Sequence, residues 1–178
     1  MPLFPAADAD LPAVAALVNS AYRGESSRQG WTTEADFLGG QRTDPQTLRQ
    51  ELADTPGAAL LTFRDTADGP LLGTVWLEPA AGGAWYLGML TIRPDLQARQ
   101  LGRGLLAAAE AAAAERGARR VRMTVINVRD SLIAWYMRRG YQPTGETEPF
   151  PYGDPRFGEP LREDLHFVVL EKTLPAQA

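Results

Sequence analysis

The stretch YLGMLTIRPDLQARQLGRGLL, residues 86–106, decides the fold. From Tyr86 to Ile92 an apolar run broken only by Gly88 and Thr91 reads as a buried strand. Arg93-Pro94 stops it, and an Arg/Gln/Gly-rich loop leads straight into an alanine-rich helix. Strand, loop and helix start in immediate succession make an anion cradle. The first turn of a helix leaves about four N–H groups unpaired, and the helix dipole adds positive potential there. The ligand implied is a phosphorylated cofactor. Two common phosphate-binding patterns are excluded by spacing. There is no GxxxxGK[ST], and the lone GxG at Gly102 to Gly104 lacks the third glycine and the acidic ribose reader of dinucleotide folds.

Upstream, residues 58–64 and 71–78 are apolar runs joined by Thr66-Ala67-Asp68-Gly69, a hairpin signal. Ala81-Gly82-Gly83 turns the second run into the central strand, so three antiparallel strands feed the cradle. Downstream, the helix expected over 100–116 ends at Gly117. Residues 119–127 alternate, with Val121, Met123 and Val125 on one side, and a strand reached through a helical crossover lies parallel to the one before it. A short helix over 130–139 is closed by Gly140, and strands over 141–146 and 165–171 flank a loop rich in proline and glycine. At the start of the chain, Leu3-Phe4-Pro5 fits a short edge strand. Asp10 and Pro12 then open a helix whose stripe of Val14, Leu17, Val18, Ala21 and Tyr22 faces the core up to about Gly24. Residues 25–41 form a polar loop with an isolated Trp31, of a length that is usually functional or mobile. Asp44-Pro45 begins a second helix to about Ala53.

A chain of 178 residues, 44% hydrophobic, suits one core, so residues 1–178 are expected to form a single domain. The net charge of -4 argues against nucleic acid as a partner. Charge is segregated: residues 93–139 hold ten arginines against four acidic residues, and the remainder holds eight basic against eighteen acidic. Such a basic patch attracts a polyanionic cofactor. With no cysteine and one histidine, neither a thiolate nor a metal centre is expected. No signal peptide or membrane-length apolar run stands out, and the expected setting is soluble and cytoplasmic, without a membrane partner.

The cradle resembles the GNAT superfamily of N-acetyltransferases, in which an LxVxP-type strand is followed by [QR]xxGx[GA] at a helix start. Counted from Pro94, the register runs from Gln97 to Gly102, which puts Gln100 at the usual first glycine. The alternative register, Arg99 to Gly104, keeps the letters but lengthens the loop. A second segment, RDSLIAWYMRRGY at 129–141, resembles the family pattern NxxAxxxYxxxGF. Spacing carries Tyr136 onto the family tyrosine and places Arg129 and Leu132 at its asparagine and alanine.

The resemblance implies an α/β GNAT fold: a mixed, mostly antiparallel seven-stranded sheet with helices on both faces. It implies acetyl transfer from acetyl-CoA to a primary amine of a small molecule or peptide, and leaves a homodimer open. Cofactor contacts then fall to Leu90, Thr91 and Ile92 on the strand, and to Gln97, Ala98, Arg99, Gln100, Leu101, Gly102, Arg103 and Gly104 at the cradle. Further along they fall to Arg129, Leu132, Tyr136 and Arg139. A bulge near Met89 and Leu90, made plausible by Gly88, aims a backbone N–H of Leu90 at the thioester oxygen. Tyr136, with a reference pKa of roughly 10 against about 8.5 for a thiol, is protonated at neutral pH and donates to the departing sulfur. Candidate bases are Glu78, Glu34, His166 or a water chain. The acceptor side is assigned to Trp31, Glu34, Glu78 and Tyr152. The acidic flanks, including Glu25, Asp36, Glu146, Glu148 and Asp154, suggest a mouth that concentrates cationic amines, with Phe150 among its aromatic groups. The rival is a non-catalytic acyl-CoA-binding or regulatory domain of the same fold.

Overall fold

The computed structural model describes residues 2–175. In chain order the strands are β1 (Leu3–Pro5), β2 (Leu38–Gly39), β3 (Ala59–Phe63), β4 (Gly73–Pro79), β5 (Ala84–Ile92), β6 (Arg120–Ile126), β7 (Gln142–Pro149), β8 (Glu159–Pro160) and β9 (His166–Thr173). The α-helices are α1 (Leu11–Tyr22), α2 (Pro45–Asp54), α3 (Leu101–Glu115) and α4 (Asp130–Met137). Seven strands form one sheet in the order β1-β3-β4-β5-β6-β9-β7, antiparallel except for β5 beside β6.

The period-two alternation of the strands gives the sheet two apolar faces. Leu61, Phe63, Val75, Leu77 and Leu87 pack with Leu105, Leu106, Ala109 and Ala113 of α3. Their neighbours Leu60, Trp76 and Met89 pack on the other side with Leu11, Val14 and Val18 of α1 and Leu48 of α2. Ala109 and Ala113 are fully buried, so α3 lies close on the sheet where larger side chains would hold it away. Asp44 caps α2 by accepting from the amides of Gln46 and Thr47, with Pro45 at the first helical position.

Two segments differ from the sequence reading. Residues 25–41 are folded, and Leu38–Gly39 pairs with Glu159–Pro160 in a separate ribbon too short for any periodicity to announce. Strand β7 runs on to Pro149, resuming its pairing with β9 at Thr147 after an irregularity. It lies at the edge of the sheet, where Pro143 and Pro149 need no outward partner. Among the described residues no helix is long and apolar enough to cross a membrane.

Candidate active site

The site begins with two departures from a regular sheet. Strands β5 and β6 pair only from Ala84–Arg120 to Tyr86–Arg122, and then diverge while each continues to its own end. On the other side of β5 the register jumps: Thr74 faces Thr91 and Trp76 faces Gly88, so Val75 opposes both Met89 and Leu90. Met89 has a φ of 47°, and the Thr91 hydroxyl donates to its carbonyl at 2.9 Å. This bulge takes Met89 and Leu90 out of the ladder at the point where the sheet opens.

On the α3 side of the opening is a cavity of about 200 Å³. Leu90, Thr91, Ile92, Gln97, Ala98, Gln100, Gly102, Arg103, Arg129, Leu132, Tyr136 and Arg139 line it, with Tyr22, Trp31 and Trp135 among the rest of its wall. Gln100 sits at φ 61°, the left-handed conformation that favours glycine, so the chain turns there on a residue other than glycine. Among the described residues, the amide of Gln100 has no hydrogen-bond partner, whereas those of Arg103 and Gly104 are engaged by the Gln100 carbonyl. A Cβ on Gly102 would touch Trp135 at 3.5 Å, between the helix and the cavity wall.

Three of the expected cradle residues do not line this cavity. Arg99 is exposed, Leu101 packs on the core, and Gly104 faces the ring of Phe63. Gln97 also braces the loop after α1, since its Oε1 accepts from the Trp31 amide at 3.1 Å. Arg139 lies over Trp135, 3.6 Å from the ring centroid, and donates to the Trp135 carbonyl. Desolvation first, then the neighbouring Arg138 and Arg103, holds its guanidinium below the ordinary value. Arg103 and Arg139 continue into an adjoining hollow of about 480 Å³ that also holds Arg138 and Lys172. There Lys172 is neutralised by Glu110.

On the other face of the opening is a larger cavity of about 570 Å³. The two cavities share a wall of Tyr22, Leu90, Arg129, Leu132 and Tyr136. Tyr136 is buried edge-on between Trp135 and Tyr141, and its hydroxyl makes no hydrogen bond among the described residues. Burial pushes its phenol far above the usual tyrosine value, so it is protonated at every physiological pH. Tyr22, which the sequence presents only as the end of an apolar stripe, donates to the Leu90 carbonyl at 3.2 Å.

Glu34 and Arg129 are tied together here. The Glu34 carboxylate is buried, with one oxygen 3.1 Å from Arg23 and the other 3.0 Å from Arg129, whose second arm donates to Thr32. Held by two guanidinium groups, Glu34 is a bridging carboxylate and not the free base that the sequence reading offered. Arg129 spends its charge on this bridge and joins the loop after α1 to the start of α4.

The acceptor-side assignments separate. Glu78 lines the larger cavity and accepts from the Trp76 indole at 2.7 Å. Glu148, Phe150, Tyr86 and Arg42 line it as well. Trp31 instead caps the smaller cavity, 6.1 Å from Trp135, because Gln97 holds its backbone there. Tyr152 lines neither cavity: its hydroxyl donates to the Arg162 carbonyl and accepts from the Leu165 amide, pinning the loop before β9. His166 also lines neither. The acidic mouth is largely neutralised, since Glu25 and Asp36 pair with Arg28, Glu146 with Arg122 and Asp154 with Arg156. Sequence reasoning missed Tyr22, Arg23 and Arg42, none of which carries a motif, and named Glu148 only among the acidic flanks.

A family model described as the acetyltransferase (GNAT) family matches residues 18–141, which hold the cradle, the bulge and Tyr136. The chain belongs to the GNAT acetyltransferase family. Solved structures of GNAT proteins share its fold. A ribosomal-protein-alanine N-acetyltransferase from Brucella melitensis aligns with a TM-score of 0.67 and 19% identity over 98% of this chain and 100% of its own. An IAA acetyltransferase from Bacillus cereus gives 0.65 and 15% over 97% and 98%. A GNAT family acetyltransferase from Elizabethkingia anophelis, with acetyl-CoA bound, gives 0.60 and 16% over 72% and 82%. No curated protein matches the sequence.

Proposed function

We propose that this acyltransferase moves an acetyl group from acetyl-CoA to a primary amine, with both substrates bound at once. The observation that carries the reading is the shared wall of the two cavities, to which Tyr136 and the bulge residue Leu90 both belong. The chain fits coenzyme A. The free amide of Gln100 at the start of α3 suits a pyrophosphate, and Arg103, Arg138 and Arg139 in the adjoining hollow suit a further phosphate.

Acetyl-CoA supplies an activated thioester. The amine nitrogen bonds to the acetyl carbon, the carbon–sulfur bond breaks, and the thiolate takes the Tyr136 proton. The bulge at Leu90 offers backbone N–H to the carbonyl oxygen as charge gathers there. Glu78, in the acceptor cavity and free of any ion pair among the described residues, receives the amine proton directly or through water. Solvent then restores the Tyr136 proton.

The test is release of free thiol from acetyl-CoA with a panel of primary amines, with N-acetyl products identified by mass spectrometry. Tight acetyl-CoA binding without turnover on any amine overturns transfer in favour of a binding domain.

A further inference from the structure

The acceptor cavity carries a guanidinium that no carboxylate among the described residues pairs with. Outside residues 93–139, every described arginine except Arg42 is in an ion pair: Arg23, Arg28, Arg49, Arg64, Arg156 and Arg162 each have an acidic partner within 4 Å. Arg42 has none among the described residues, although it lines the cavity. Glu51 on α2 lies within electrostatic reach of it but makes no such contact. The position is built. Asn19 of α1 accepts from the amides of Arg42 and Thr43 at 2.7 and 3.1 Å, and donates to the Thr43 carbonyl at 2.8 Å. That clamp fixes the backbone from which the side chain projects.

The guanidinium carbon of Arg42 then lies 5.7 Å from the centroid of the Tyr22 ring. Tyr22 belongs to the shared wall and its hydroxyl contacts Leu90, so an anion on Arg42 sits beside the reacting end of the cavity. Glu78 and Glu148 line the same space and have no cationic partner among the described residues. A cavity with one unanswered guanidinium and two unanswered carboxylates matches a ligand of both signs better than a plain cation.

We propose that the acceptor is a zwitterion, an amine with a carboxylate or similar oxyanion on a nearby carbon, and that Arg42 binds the oxyanion. This rests on the larger cavity being the acceptor site. An α-amino acid or amino-acid analogue meets the description: its carboxylate pairs bidentately with Arg42 and its amine lies toward Leu90 and Glu78.

The test compares amino acids with their amides and their decarboxylated amines, as kcat/KM for acetyl transfer and as Kd by calorimetry with the CoA-saturated protein. The wild type should favour the acid over its amide by about ten- to a hundredfold, the range for one charge-assisted pair. In Arg42→Gln the acid-to-amide ratio should fall to near one, with Arg42→Lys between. A control variant far from the cavity, Arg116→Gln, should keep the wild-type ratio. Equal use of acid and amide by the wild type, or a ratio unchanged in Arg42→Gln, overturns the zwitterion while leaving amine acetylation intact. Absence of transfer to every amine of the panel overturns the acetyl-transfer reading and this one with it. Arg42 makes no side-chain hydrogen bond among the described residues, so a melting temperature close to wild type certifies the variants as folded.

Discussion

Replacing Tyr136 by phenylalanine removes one hydroxyl from the wall between the two cavities and nothing else. That hydroxyl has no hydrogen-bond partner among the described residues, so its loss breaks none of their hydrogen bonds, and the ring keeps its edge contacts with Trp135 and Tyr141. Stability should change by less than about 0.5 kcal/mol, a melting shift of at most about 2 °C for a chain of this size. Catalysis should change far more. A hydrogen bond to a charged group contributes about 1.5–3 kcal/mol, and each 1.36 kcal/mol of barrier is about tenfold in rate. The expected loss in kcat is therefore about ten- to 150-fold. Because the sulfur becomes a strong acceptor only as the thiolate leaves, KM for acetyl-CoA should stay within about twofold. The assay is thiol release under saturating amine, alongside thermal melting. An unchanged kcat refutes the assignment of Tyr136 as the acid. A large fall in kcat accompanied by a melting drop beyond a few degrees refutes the claim that only the hydroxyl matters.

Gly102→Val should weaken acetyl-CoA binding at least about tenfold by calorimetry, because its branches enter the space between Trp135 and the start of α3, while Arg103→Ala should cost only a few-fold and less in high salt. Gln100→Gly should raise stability in urea by up to about 1 kcal/mol by relieving the left-handed backbone, and a loss instead would mean the glutamine side chain supports the turn. Glu34→Ala leaves Arg23 and Arg129 buried without their acid and should cost about 3–5 kcal/mol in urea unfolding; a loss under about 1 kcal/mol would contradict the buried bridge. Tyr22, Tyr86 and Tyr136 are all pushed up chiefly by burial, so the folded chain keeps protons that the unfolded chain releases near about pH 10. Their stabilisation is complete below that pH and is lost above it. The melting temperature should be free of tyrosine effects up to about pH 9 and fall beyond about pH 10, less steeply in Tyr136→Phe.

The sequence by itself determined whatever is written in local spacing. A strand stopped by Arg93-Pro94 and running into a helix start gave the cradle, and the bulge could be placed near Met89 because Gly88 marks it. Tyr136 was singled out by the family resemblance, through its distance to Gly140. The sequence also showed that Gln100 stands at a glycine position, but only the backbone angle revealed that the turn is still made. Tertiary structure decided everything that depends on partners far apart in the chain. Glu34 and Arg129 are 95 residues apart and form one buried bridge, which no periodicity encodes. Trp31 was read as an acceptor contact because the family resemblance sets its loop beside the acceptor, and a single side chain, Gln97, holds it at the other cavity. The summed acidity of the flanks suggested a cationic mouth-filling ligand. Charge counted along a chain cannot know which carboxylates already have guanidinium partners, and pairing in space leaves Arg42, Glu78 and Glu148 without an ion pair among the described residues that line the acceptor cavity.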